Sequence, residues 1–437
     1  MRSDRLLPPQ QRLRASGAWL CGVLLSLAAC DDDGAPLSTP TLFTDSAGIT
    51  IVTSPSSNTA YATIAAEPVL SIGAIDGPDE VLFGRIASVA VDGAGNLIIA
   101  DGQIGEIRIF DANGVHLQTY GSEGEGPGEF RRLAGAWPAA EGVIVAVDTR
   151  LDRITRFGLD GELLATATLK GTDQAPTIRP IRMAGTSAFL SWMQSLNPLS
   201  PQDNTGLKGI IESMSDPLGS RVEHLVRHDL AGNLIDTVTQ VPGVATVTSL
   251  QGAGTNMSIQ IMQVPFSPEP AATASPEGRV AVTAGRSYGF SLHGPDGDLV
   301  RIVRLAEVPP VRTDAHVEAW ARGSAGGRES PDDAEVEAAM RHYEEMSMPE
   351  RLPAWNTLLV TDSGETWARR FAIQGAETVR WDVFGAEGSH LGQVRSPATF
   401  RIHHIGDGRL TVVSSDDLGV ERVEVYEYAN GASARSS

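Results

Sequence analysis

The sequence predicts an all-β fold, a six-bladed β-propeller of four-stranded antiparallel blades with a small helical insertion near residues 313–348. Three observations carry this expectation. Phe83, Asp101, Phe110 and Gly114 recur in the same order as Phe130, Asp148, Phe157 and Gly161, an internal repeat of 47 residues, which is a length that reads as one propeller blade. The glycine turn that ends each of these units returns at Gly232, Gly297, Gly388 and Gly431. The two chain ends read as complementary pieces of a single blade, as a closed ring requires.

The chain opens with Arg2, Arg5, Arg12 and Arg14, followed by an apolar run from Ala18 to Ala29. That run is too short and too one-sidedly flanked for an ordinary membrane span, and it reads as a signal peptide over residues 1–29. Leu27, Ala28, Ala29 and Cys30 resemble a bacterial lipobox, in which Cys30 becomes the lipidated first residue of the mature chain. Cys21 leaves with the signal, so thiol chemistry, disulfides and cysteine metal sites are not expected. Residues 30–45 begin Cys30, Asp31, Asp32, Asp33, are rich in Pro, Ser and Thr, and have little apolar surface to bury, so they read as a flexible tether. Residues 46–431 form the propeller.

Within the first repeat, Ser88 to Asp92 alternates toward a turn at Gly93 to Asn96, and Leu97 to Ala100 is a short apolar run of strand type. Ile104 to Phe110 is the next strand. Asp111 to Gly114 is a hairpin turn, because Asn113 and Gly114 tolerate positive φ, and Val115 to Tyr120 completes the unit. The successive glycine turns are separated by 47, 71, 65, 91 and 43 residues, so insertions lie in three of the intervals. The 91-residue interval leaves seven blades as the alternative. It also holds the helical text: Ser330 reads as a cap for a helix starting at Pro331, with Asp333 at the capping-box position. Val336, Met340, Tyr343 and Met346 form its apolar stripe, and a shorter helix is expected over Asp314 to Ala321. After Val423 to Tyr428 the chain stops before a fourth strand, and Pro68 to Gly73 is expected to supply it. Ile49 to Val52 reads as a further strand near that seam.

In a propeller, the links from fourth to next first strand and from second to third strand share one face. The segments 313–348, 244–264 and 196–220 are all such links, so one decorated face is expected to carry the ligand. Asp101 and Asp148 end second strands at this rim, and Glu129 lies in the glycine-rich connector Gly121 to Phe130; these three are the ligand-face candidates. Turn capping is the competing role of the two aspartates. The connector has no following helix or lysine and carries Glu123, Glu125 and Glu129, so it is not a phosphate cradle. Its glycines instead permit a tight crossing in which Phe130 plugs between blades. His403 and His404 are adjacent, which on a regular strand sends them to opposite faces. No Gly-x-Ser-x-Gly elbow marks a nucleophile. The net charge of −20 excludes nucleic acid as a partner.

At Leu97 to Asp101, the turn Asp111 to Gly114, and Gly126 to Phe130, the chain resembles bacterial six-bladed propeller lipoproteins related to NHL-repeat proteins. That resemblance implies the fold, and relatives of this kind include binding scaffolds as well as metal-dependent lyases and lactonases. No enzymatic motif is matched. The expectation is therefore a non-enzymatic, monomeric module in the cell envelope, lipid-anchored through Cys30, that binds a peptide, glycan or protein. The alternative is a calcium-dependent hydrolase or lactonase using Asp101 and Asp148, calcium being the one cofactor considered.

Overall fold

The computed structural model describes residues 40–173, 175, 177–195, 215–216, 219–251, 258–325 and 331–430. The signal segment, Cys30, most of the tether, Ser330 and the turn at Gly431 lie outside the described residues.

Six sheets follow one another around a ring. Four short N-terminal strands come first, β1 (Leu42–Ser46), β2 (Ile49–Ser54), β3 (Ala62–Ile64) and β4 (Leu70–Ile72). The first blade is β5 (Ile86–Val91), β6 (Leu97–Asp101), β7 (Glu106–Phe110) and β8 (His116–Tyr120); the second is β9 (Leu133–Pro138), β10 (Val143–Asp148), β11 (Arg153–Gly158) and β12 (Leu163–Thr168). The third is β13 (Thr177–Ala184), β14 (Ala188–Gln194), β15 (Val222–Asp229) and β16 (Leu234–Pro242), followed by a separate hairpin, β17 (Thr246–Gln251) and β18 (Ser258–Gln263). The fourth is β19 (Ala271–Ala274), β20 (Val280–Thr283), β21 (Gly289–His293) and β22 (Leu299–Leu305), after which come helices α1 (Asp314–Ala325) and α2 (Asp333–Glu344). The fifth is β23 (Trp355–Val360), β24 (Thr366–Arg370), β25 (Thr378–Phe384) and β26 (His390–Pro397); the sixth has β27 (Arg401–Gly406), β28 (Arg409–Ser415) and β29 (Glu421–Asn430). The first strands β5, β9, β13, β19, β23 and β27 touch their neighbours in sequence, and β27 touches β5. The long interval therefore holds helices and not a seventh blade.

Burial explains the strand text. β6 is buried at all five positions because blades pack against it on both sides, so it reads as an apolar run. The outer strand β12 is exposed or half-buried throughout and alternates. The core lies between blades: Phe157 of the second stacks on Tyr120 of the first at 5.6 Å, and Phe290 of the fourth sits 5.2 Å from Phe384 of the fifth.

The sixth blade is completed by β4, antiparallel to β29, with Ile72 opposite Val423 and Leu70 opposite Val425. Farther along β29, β3 pairs at Ile64 and Tyr428. The strand at Ile49 to Val52 is not at this seam. As β2 it runs parallel to β22, with Ile51 opposite Ile302, two blades away. Between them Thr59 and Tyr61 bond the backbone of Gln393 on the fifth blade's outer strand at 2.8 Å each. The N-terminal segment is thus a strap along the outer edges of three blades, where it satisfies backbone groups that an open edge would expose.

The helix cap also differs from expectation. Asp332 caps α2, accepting from the Glu335 N–H at 2.8 Å while Glu335 Oε2 accepts from the Asp332 N–H at 3.1 Å. This frame puts Glu at the reciprocal position, which Asp333 as partner would not. Val336 is buried and Met340, Tyr343 and Met346 are half-buried, so the stripe faces protein.

Candidate ligand-binding channel

The six first strands enclose a cavity of about 1180 Å³. It reaches the turns between first and second strands, among them Asp92–Gly95, Gly185–Thr186 and Gly406–Asp407. This is the face opposite the insertions. None of the described residues of 196–220, 244–264 or 313–348 lines the cavity. The insertions gather with one another instead: Asp216 and Thr246 exchange backbone bonds at 2.8 and 2.9 Å, and Phe266, after the hairpin, packs 5.0 Å from Trp320 of α1.

Local backbone geometry decides which side chains reach the channel. A residue is skipped in the pairing of first and second strands at Ala87, Ala134, Ile181, Asn356 and His403, a bulge at corresponding places in five of the six blades. A bulge breaks the period of two. His403, at the bulge itself, and His404 both belong to the cavity wall.

The polar side chains along the wall stitch blades together. Ser88 Oγ accepts from the Ala136 N–H at 3.0 Å, and His403 Nδ1 accepts from the Val89 N–H at 3.4 Å. These inner-edge N–H groups have no strand partner, so a neighbouring blade's side chain supplies the acceptor. Because Nδ1 accepts, the His403 proton sits on Nε2, which has no hydrogen-bond partner. Burial, followed by the charges of Arg401 and Arg182, pushes His403 down to about 4. His404 Nε2 lies 3.2 Å from Asp362 at the mouth.

Arg182 on β13 is half-buried in the wall and donates from one Nη to Thr273 Oγ1 at 3.1 Å. It makes no ion pair with a described carboxylate. Burial pulls its guanidinium pKa down, with Asp362 partly opposing.

The predicted acids occupy a different kind of place. Asp101 and Asp148 are fully buried. Asp101 accepts from the N–H groups of Gly84, Arg85, Gln103 and Ile104 at 2.7 to 3.2 Å. Asp148 accepts from Arg131, Arg132, Arg150 and Leu151 at 2.6 to 3.0 Å. Each carboxylate therefore joins the entry of its blade to the turn after the second strand. Glu129 is half-buried and accepts from the Gly126 N–H at 2.7 Å within its own connector. Neither aspartate lines the cavity, and among the described residues no three His, Cys, Asp or Glu side chains gather as a metal site.

A family described as a 6-bladed β-propeller matches residues 57–173. No curated protein matches the chain. Among solved structures, a member of the duf4221 family from Bacteroides vulgatus aligns over 85% of this chain and 99% of its own, at 11% identity and a TM-score of 0.50. A Bacteroides fragilis protein described as exported aligns over 87% and 99%, at 9% identity and a TM-score of 0.47. A calcium-binding protein, regucalcin, from Agrobacterium tumefaciens aligns over 84% and 96%, at 12% identity and a TM-score of 0.39. At these identities the likeness concerns the fold alone.

Proposed function

This chain is a six-bladed β-propeller, and from that premise we propose that it is an envelope ligand-binding module, lipid-anchored at Cys30, that takes a small polar ligand into its central channel. The observation that carries the reading is the channel itself: an open-mouthed cavity of about 1180 Å³ whose wall mixes apolar residues such as Trp137 with a few polar groups, of which the Arg182 guanidinium has donors to spare. Ligand sites of small molecules have this composition, and the volume lies just above their usual range of about 300–1,000 Å³. The ligand enters from the turn face, and the insertion face is left for contacts with larger partners such as a peptide, glycan or protein.

A calcium-dependent hydrolase built on Asp101 and Asp148 has less support, since four backbone N–H groups already occupy each carboxylate. The test is a thermal-shift screen of small polar metabolites on the full chain in detergent, with Thr357→Trp as the channel-filling variant. Thr357 lies half-buried in the wall. A compound that raises the melting temperature of the parent and not of T357W supports the channel. Equal shifts in both place the ligand elsewhere.

A further inference from the structure

Arg182 has five N–H donors, and one of them is used by Thr273. A guanidinium in a protein interior ordinarily finds a carboxylate, because an uncompensated buried charge is costly. The chain follows that rule elsewhere: Arg370 pairs with Glu307 and Asp382 at 2.7 and 2.8 Å, and Arg108 pairs with Glu106 at 2.8 Å. Arg182 breaks it, with no described carboxylate within ion-pairing distance, although it lines the central cavity. Beside it, the neutral His403 carries its proton on an Nε2 that has no acceptor. That Nε2 is itself buried, so it is the Arg182 guanidinium that offers unpaired donors to the cavity.

We propose that the channel holds a ligand by a carboxylate group, received by the free edge of the Arg182 guanidinium. This inference rests on the channel reading above and adds the chemistry of the ligand. A planar fork of donors matches a carboxylate bidentately. The ligand's charge is low. Asp92, Asp362 and Asp407 stand at the mouth, and the chain carries −20, so a polyanion meets repulsion on entry that a single carboxylate largely escapes. Thr273 holds the guanidinium from one side and leaves the other edge for the ligand.

The experiment is saturation-transfer NMR on the full chain in detergent with benzoate as probe, benzamide as its neutral counterpart, and acetate and inorganic phosphate as competitors at matched ionic strength. Benzoate is expected to bind saturably, benzamide at least tenfold more weakly, and acetate to displace benzoate more effectively than phosphate. Arg182→Met should weaken benzoate tenfold or more, Arg182→Lys less, and the melting temperature of R182M without ligand should not fall, because the variant removes an unpaired charge and keeps most of the stem. Equal binding of benzoate and benzamide, both lost in T357W, would overturn the carboxylate inference and leave the channel reading intact. Benzoate binding that T357W does not alter would overturn both. Phosphate as the better competitor would overturn the choice of carboxylate, and a sharp drop in the melting temperature of R182M would show that the arginine is structural.

Discussion

Replacing Asp148 by Ala tests whether this repeated aspartate holds the blade together or serves a ligand. Its buried carboxylate accepts four backbone N–H bonds, from Arg131 and Arg132 before the first strand of the second blade and from Arg150 and Leu151 after the second strand. Alanine leaves all four donors without an acceptor in a place where the parent side chain is 0% exposed. Taking about 1 kcal/mol for each orphaned donor, the low end of the usual range, the loss is about 4 kcal/mol, and charge assistance pushes it higher. Asn is expected to cost about half as much, since its amide oxygen accepts two of the bonds while its NH₂ faces the remaining donors. The assay is urea unfolding followed by tryptophan fluorescence, with Trp137 buried in the same blade. Calcium should leave the difference between parent and variant unchanged. A loss below about 1 kcal/mol, or a parent midpoint that rises with calcium only while Asp148 is present, would refute the capping argument.

Three further outcomes follow from the geometry. Arg370→Met should cost about 3–5 kcal/mol at neutral pH, because it strands the buried Asp382 beside the half-buried Glu307; burial alone would raise the Asp382 pKa, but its hydrogen bonds and Arg370 hold it below the usual range, so the deficit measured by urea unfolding should shrink as pH falls through that range. His403 is pushed from 6.5 down to about 4, so between these values the unfolded chain binds the extra proton and stability declines as pH falls. His403→Gln should remove up to about 3 kcal/mol of that decline, the residue being due to His228 and His293, which burial also lowers, and an unchanged pH profile of the melting temperature would refute it. Gly121→Ala should destabilise more than Gly48→Ala: both have φ near +80°, but a Cβ at Gly121 would lie 2.8 Å from the Gly105 carbonyl oxygen and from the Phe130 ring, whereas Gly48 has nothing within 4 Å. Backbone strain alone accounts for about 1–2 kcal/mol at Gly48, so thermal melts of the pair isolate the collision.

The architecture was legible because propeller blades repeat the same physical problem. A middle strand buried on both faces must be apolar, the turn before the outer strand needs positive φ, and Gly114, Gly161, Gly232, Gly297 and Gly388 all have it. The aspartates at Asp101 and Asp148 were visible for the same reason, as recurring solutions to capping. The channel wall was not legible in that way. Arg182 stands in a strand, Thr177–Ala184, whose text does not tell which residues face the lumen, because the bulge at Ile181 shifts the alternation and no residue type announces a bulge. The same displacement hid the joint position of His403 and His404. Comparing first strands blade by blade, the residues that follow the bulges are Ser88, Gly135, Arg182, Thr357 and His404, among which Arg182 is the one arginine.

Strand direction sets the channel mouth and the insertions on opposite faces, and the strap secures the ring independently of both. Residues 42–72 run along the outer edges of the fourth, fifth and sixth blades, so the blades on that side are fixed from outside and the ring is fixed at β29 by a strand from the other chain end. The inner edges are fixed separately, by Ser88, His403 and other side chains reaching to the next blade. A wall secured in this manner keeps its shape without a plug in the lumen, and a rigid lumen favours binding because little ordering is needed when a ligand arrives. The insertion face is secured by different contacts, Asp216 with Thr246 and Phe266 with Trp320, none of which touches the cavity. Changes to the helices α1 and α2 are therefore expected to leave channel binding intact. If deleting residues 313–348 abolished benzoate binding in a chain that still melted cooperatively, the two faces would be coupled and the separation argued here would fail.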